Sequence, residues 1–277
     1  MNRSDTFRHI AAQAASGEIN LPSSVNAALR LQTQLDDPAC HLENAIKLVG
    51  GEPQLAARVV GLANSAAFNR SGDAEITGVR AAVMRVGYKS LKTMVASLLV
   101  KQLGARIVDP ALRAKADRLW LHTANVAALA HVLARRVTHI DPDTAMFAGI
   151  VHEVGGLYLL SRAEEFPGLL DDEAHLWGEL AEETVTRAVL GKLLVPEAVS
   201  NAILTARVGQ SESPPTSLAD TLVLARQFAL VASPLGIAQE MPEPGDSPLD
   251  FVADSSKLIQ LIDESTDELR SIIAALA

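Results

Sequence analysis

The sequence predicts an all-α protein, on three observations. Hydrophobic residues fill 48% of its 277 positions while aromatics fill only 4%. Alanine, leucine and valine must therefore build the interior, and the first two are strong helix formers. Runs of alternating β-branched residues, which mark strands, are missing from the chain. Where apolar residues do recur, as in LWLHTANVAALAHVLARR, they come in alternating three- and four-residue steps, which is helix spacing. A chain of this length can bury a sizeable core, as one large domain or two small ones.

Several function classes become unattractive on composition. Lys101, Arg135 and Arg162 interrupt the longest apolar stretches, so no membrane span of roughly 18 residues or more is expected. The opening MNRSDTFRHIAAQ has no long apolar region, so a signal peptide is not expected either. A lone cysteine, Cys40, cannot form an intramolecular disulfide and suits a reducing compartment, so a cytoplasmic protein is expected. The formal charge of −9 argues against loose nucleic-acid binding, which needs basic surface to displace counterions. Neither membrane nor nucleic acid is therefore an expected partner.

The elements follow in order. Ser4 to Ser16 reads as an amphipathic helix closed by Gly17. Ser23-Ser24 caps a helix carrying Val25, Leu29, Leu31 and Leu35, which Asp37-Pro38 ends. Leu42 to Val49 forms a short helix stopped by Gly50-Gly51, and Pro53 starts the next, with Leu55, Val59, Leu62 and Ala66 at helical spacing. Ser71-Gly72-Asp73 reads as a loop. Thr77 caps a brief helix that Gly87 ends, and Tyr88 to Arg106 is a stronger one, with Leu91, Val95, Leu98 and Leu99 on its apolar side. Asp109-Pro110 and Asp141-Pro142 each pair an N-cap acceptor with proline at the first helical position. The helix opened by the first runs through LWLHTANVAALAHVLARR, and Thr138 to Asp141 breaks it. The second opens TAMFAGIVHEVGGLYLL, read as one helix with Ala145, Ala148, His152, Gly155 and Leu159 on one face. Asp172 to Leu190 is another helix, Pro196 starts one ending near Arg207, and Ser217 caps one that Pro234 stops. An exposed linker follows, and an amphipathic pair, Leu249 to Ile262 and Glu264 to Leu276, closes the chain.

Chemistry is concentrated between Leu119 and Arg162. His122 and His152 lie on apolar stripes of facing helices with Glu153 beside one of them, a set able to hold a divalent metal. Elsewhere there is no glycine-rich phosphate loop, GxSxG elbow or CxxC pair, so nucleophilic catalysis has no visible basis. Arg80, Arg85, Lys89 and Lys92 form a row that either receives an anion or is a solvated helix face. Asn64 and Ser65 either line a groove or complete a helix end.

The residues also carry a resemblance. LPSSVNAALRLQTQLDDP, LAARVVGLANSAAF and ITGVRAAVMRVGYKSLKTMVASLLV resemble the N-terminal half of the HDOD family, the HD-related output domains of bacterial signalling proteins. LWLHTANVAALAHVLA with AMFAGIVHEVGGLYLL resembles its second half, a degenerate relative of the HD phosphohydrolase fold. The likeness runs through LLVPEAVSNAIL to SLADTLVLARQFA. It implies an N-terminal helix at 1–20 and an HDOD domain at 21–232. That domain divides into a helical subdomain at 21–109 and an HD-like one at 110–232. A linker at 233–248 and C-terminal helices at 249–277 packed on the domain complete the expectation.

The resemblance also implies where HD-type metal ligands would fall: on His122, His152-Glu153 and Asp220. Glu153 stands where the HD pattern has aspartate. Thr205-Ala206 stands where active HD-GYP relatives carry a histidine pair. Asp220 has a second explanation, a capping box with Ser217. The expected function is a non-catalytic signalling or regulatory output module acting through protein contacts with a signalling partner, without a cofactor. The alternatives are a metal-dependent phosphohydrolase built on those four residues, and a sensor of a small anionic ligand such as a nucleotide.

Overall fold

The computed structural model describes residues 2–69, 74–170, 174–207, 209, 214–235 and 255–276, and all regular structure among them is helical, as the composition predicts. The first five helices are α1 (Arg3–Ala15), α2 (Ser23–Asp36), α3 (Leu42–Gly50), α4 (Pro53–Asn64) and α5 (Val79–Leu103). Next come α6 (Pro110–Leu133), a π-helical turn (Ala134–Thr138), α7 (Pro142–Val151) and α8 (Val154–Ala163). The rest are α9 (Ala174–Leu180), α10 (Glu182–Lys192), α11 (Glu197–Ala206), α12 (Leu218–Gln227), α13 (Ser255–Glu264) and α14 (Thr266–Leu276).

Most punctuation follows the local chemistry. Asp109 accepts from the Ala111 and Leu112 amides, and Asp141 from Thr144, so both Asp-Pro starts are real caps. Gly17 takes φ +84°, closing α1. Gly87 takes φ 79° and ψ 173°, a conformation open essentially to glycine alone, and kinks α5 where the sequence ends one helix and starts another. Thr77 is not the cap there: Gly78 holds that position and no side chain caps it.

Three expected helices are shorter or broken. TAMFAGIVHEVGGLYLL is not continuous, because Glu153 takes φ −104° and ψ 17° between α7 and α8. The segment Pro142–Ala163 does reach 22 residues at a mean hydropathy of 1.2, contrary to expectation, but 83% of its apolar window is buried in the core. Asp172 to Leu190 divides at Ala181, where φ −142° leaves the helical region. The helix capped by Ser217 ends at Gln227, well before Pro234. The expected loop at Ser71-Gly72-Asp73 and most of the 233–248 linker lie outside the described residues, as does the start of the final pair.

The helices share one continuous hydrophobic core. α6 is its axis: nearly every side chain from Leu119 to Leu133 is buried, and it packs on α7, α8, α12 and α14. α5 packs against α2, α3 and α4 on one side and α7 and α8 on the other. The chain ends cross over. α1 lies on α9 and α10, with Phe7 against Trp177 and Gln13 accepting from Arg162. α14 lies on α4 and α6.

Candidate functional site

α6 and α7 approach closely enough that a Cβ on Gly149 would lie 2.5 Å from the Ala127 backbone. That contact brings His122 on α6 next to His152, with ring centroids 5.4 Å apart and planes inclined by 54°. Glu153 joins them because the helix is interrupted there. On a regular helix adjacent side chains diverge by about 100°, and the break removes that divergence. Ligand atoms of His122, His152 and Glu153 lie within 4.8 Å of one another, the one such group among the described residues. The three residues are only 4%, 5% and 6% exposed.

Backbone carbonyls fix both imidazoles. Nδ1 of His122 donates to the Val231 carbonyl at 2.6 Å, and Nδ1 of His152 donates to Gly149 at 2.7 Å. A carbonyl can only accept, so in the neutral rings the proton sits on Nδ1 and each Nε2 presents a lone pair. Among the described residues both Nε2 atoms are buried without a hydrogen-bond partner, and His152 Nε2 is 3.9 Å from Glu153 Oε1. Burial pushes the pKa of both histidines down, His152 to about 3, so they are neutral near pH 7. Burial would raise the Glu153 carboxyl, but positive groups beside it, the guanidiniums of Arg207 and Arg226 among them, outweigh it and hold the pKa below the usual value.

Those two arginines were not singled out from the sequence. His152, Glu153, Arg207 and Arg226, with Ile203, Ala206 and Leu222, line a cavity of about 10 Å³. That is room for a single water or a monatomic ion. Arg207 is ion-paired with Glu182 and donates to Thr186, and burial lowers its pKa to about 10. Arg226 donates to the Ala206 carbonyl. A sequence signal existed for Arg207, which follows directly on Thr205-Ala206. Arg226, in the last turn of α12, reads simply as a cation complementing a helix C-terminus.

Asp220 does not join the cluster. Its Oδ2 accepts from the Thr216 amide and from both the amide and hydroxyl of Ser217, while its own amide donates to Ser217 Oγ. The capping box accounts for its Oδ2, which is the second explanation the sequence offered. Asn64 and Ser65 are engaged locally. Asn64 bonds both the amide and carbonyl of Ile76, and Ser65 Oγ donates to Leu62, so both build the turn after α4. The basic row is engaged within the chain: Arg80 with Glu43, Lys89 with Asp141, Lys92 with Asp36, and Arg85 donating to the Ala63 carbonyl. A wider groove of about 610 Å³ between α1 and α10 shares no lining residue with the cluster.

A divalent ion fits the three donors in kind. Two Nε2 lone pairs beside a carboxylate, with each Nδ1 held by a carbonyl, is the arrangement that orients metal-binding histidines. The adjacent guanidiniums of Arg207 and Arg226 oppose further positive charge, and Asp220 is engaged in a helix cap.

Among solved structures, this chain is similar to a Shewanella amazonensis protein named as a candidate metal-dependent phosphohydrolase. The identity is 20%, all of both chains is covered, and the TM-score is 0.77. It is also similar to an HDOD domain protein of unknown function from Geobacter sulfurreducens, at 21% identity over 99% of each chain and a TM-score of 0.64. A third likeness is to a candidate signal transduction protein from Marinobacter aquaeolei, at 20% identity over 99% of this chain and 66% of that one, with a TM-score of 0.58. No curated protein matches. At these identities the structures speak for the fold. The HDOD domain family matches residues 21–204, most of the chain, and the chain belongs to that family.

Proposed function

We propose that this HDOD protein is a non-catalytic signalling module of the cytoplasm that acts through protein contacts. One observation supports this reading above the others: the residues at the HD-type positions are sealed. His122, His152 and Glu153 are buried, and the cavity beside them, about 10 Å³, accepts a water or an ion but no phosphoester or nucleotide. The carboxylate already faces two cations of the chain itself, Arg207 and Arg226. Protein purified without chelator is expected to hydrolyse neither phosphomonoesters nor cyclic dinucleotides. Turnover that His152→Ala abolishes would overturn the proposal.

The two unpartnered Nε2 atoms favour a second reading, in which one divalent ion sits between His122, His152 and Glu153. Such an ion would supply Lewis acidity or hold the three helices together. Elemental analysis separates the readings: one equivalent of manganese or iron per chain, with a melting temperature lowered by chelator, supports the ion.

A further inference from the structure

α12 stops at Gln227, and the chain then turns back over the histidine pair as an irregular segment, Phe228 to Leu235. Its inner face makes two contacts with the cluster. The Val231 carbonyl accepts from His122 Nδ1 at 2.6 Å. Leu235, 6% exposed, packs where a Cβ on Gly156 would lie 2.9 Å from Leu235 Cδ1 and 3.0 Å from Glu153 Oε2. Leucine and carboxylate thus meet over the same glycine. The outer face is different, since Leu230 is 91% exposed. Among the described residues, no backbone–backbone hydrogen bond ties 229–235 to another element. A segment held by so few bonds is of the kind that opens locally before the core does.

We propose that Phe228–Leu235 is a strap that closes the His122–His152–Glu153 cluster, and that its local detachment admits solvent or an ion to the two imidazoles. The surrounding helices stay folded when it opens. The strap therefore links an exposed surface to a buried site. The proposal goes beyond the signalling reading and holds whether or not the cluster takes an ion.

Residue-resolved labelling of the full chain with diethyl pyrocarbonate, read by mass spectrometry, tests it. His9 and His41 are exposed and report the unprotected rate, whereas His131, buried against Phe68 away from the strap, reports opening of the core. In the wild type, His122 and His152 should label slowly. In Leu235→Ala and Leu235→Asp they should label about tenfold faster or more, with His131 unchanged. If the aspartate variant does not fold, the alanine variant decides alone. Unchanged protection of His122 and His152, or labelling that rises only together with His131, would show that the strap is not the closure.

Discussion

At the scale of single residues, the histidine pair and the arginine pair sit side by side with opposite expected contributions to stability. Each buried Nε2 without a partner costs folding free energy, about 1–3 kcal/mol for such a group. Replacing His152 by leucine removes that cost but strands the Gly149 carbonyl, so His152→Leu should change stability by no more than about 1.5 kcal/mol. Melts with and without chelator check it, because loss of a bound ion's ligand would make only the wild type chelator-sensitive. Arg207 is different, since it is buried against Glu182, Thr186 and Glu153. Arg207→Met should destabilise by about 3–5 kcal/mol, chiefly because it removes a cation beside the buried Glu153 carboxylate, Glu182 being part-exposed, and denaturant titration would measure this. The histidines also set a pH dependence. Their folded pKa values lie below the ordinary 6.5, so the unfolded chain binds more protons. Stability from this source is complete above about pH 6.5 and falls as pH drops, for His152 down to about pH 3, by up to about 1.4 kcal/mol per histidine per unit. With chelator present, His152→Leu should melt with a visibly flatter pH dependence between pH 6.5 and 5. Identical slopes would mean that His152 titrates normally.

At the scale of elements, the site depends on an interruption and two close approaches. The break at Glu153 brings neighbouring side chains into one cluster, and it stands among glycines that let helices nearly touch. A Cβ on Gly149 would meet the Ala127 backbone at 2.5 Å, and one on Gly155 would meet Thr186, its backbone included, at 3.0 Å or less. Backbone cannot rotate away as a side-chain tip can. Gly149→Ala and Gly155→Ala should each cost about 1–3 kcal/mol or more, and misplace the histidines. Gly156→Ala should be milder, since its nearest neighbours are side-chain ends, at Leu235, Glu153 and Leu119. Thermal melts of the three variants would rank them, and a Gly149→Ala protein as stable as the wild type would contradict the close approach.

At the scale of the whole molecule, the chain ends lie on elements distant in sequence. α1 packs on α9 and α10, while α14 packs on α4 and α6, where Glu268 accepts a bidentate bond from half-buried Arg135 at 2.7 and 2.6 Å. The helices between Leu42 and Val86 are short, the longest being the 12 residues of α4, no longer than the 12–15 residues or so at which isolated helices become even marginal. They rely on α5, which is also covered by α7 and α8. Residues 1–104 alone should therefore expose the α7 side of α5, and aggregate or melt broadly. A soluble monomer with a sharp melt would show two independent folding units instead.

The helical class, both Asp-Pro starts, the glycine stop of α1 and the kink at Gly87 were legible in the sequence, because each depends on a residue's own conformational preference or on a partner within a few positions. The pairing of His122 with His152 was legible as well, from apolar periodicity and from likeness to the HDOD family. Long-range contacts were not. The break at Glu153 lies inside an uninterrupted apolar pattern. Arg226 looks like an ordinary helix-end cation, and Arg207 is marked only by its place after Thr205-Ala206, until α11 and α12 bring them to the carboxylate. The early end of α12 is equally hidden, since its apolar run continues and only the His122 bond, across 109 residues, shows where the chain turns back. Sequence alone determined the helical class, most helix starts and stops, and the candidate histidine pair. The tertiary structure decided which of them meet, because a buried polar group takes whatever partner the packing brings within reach.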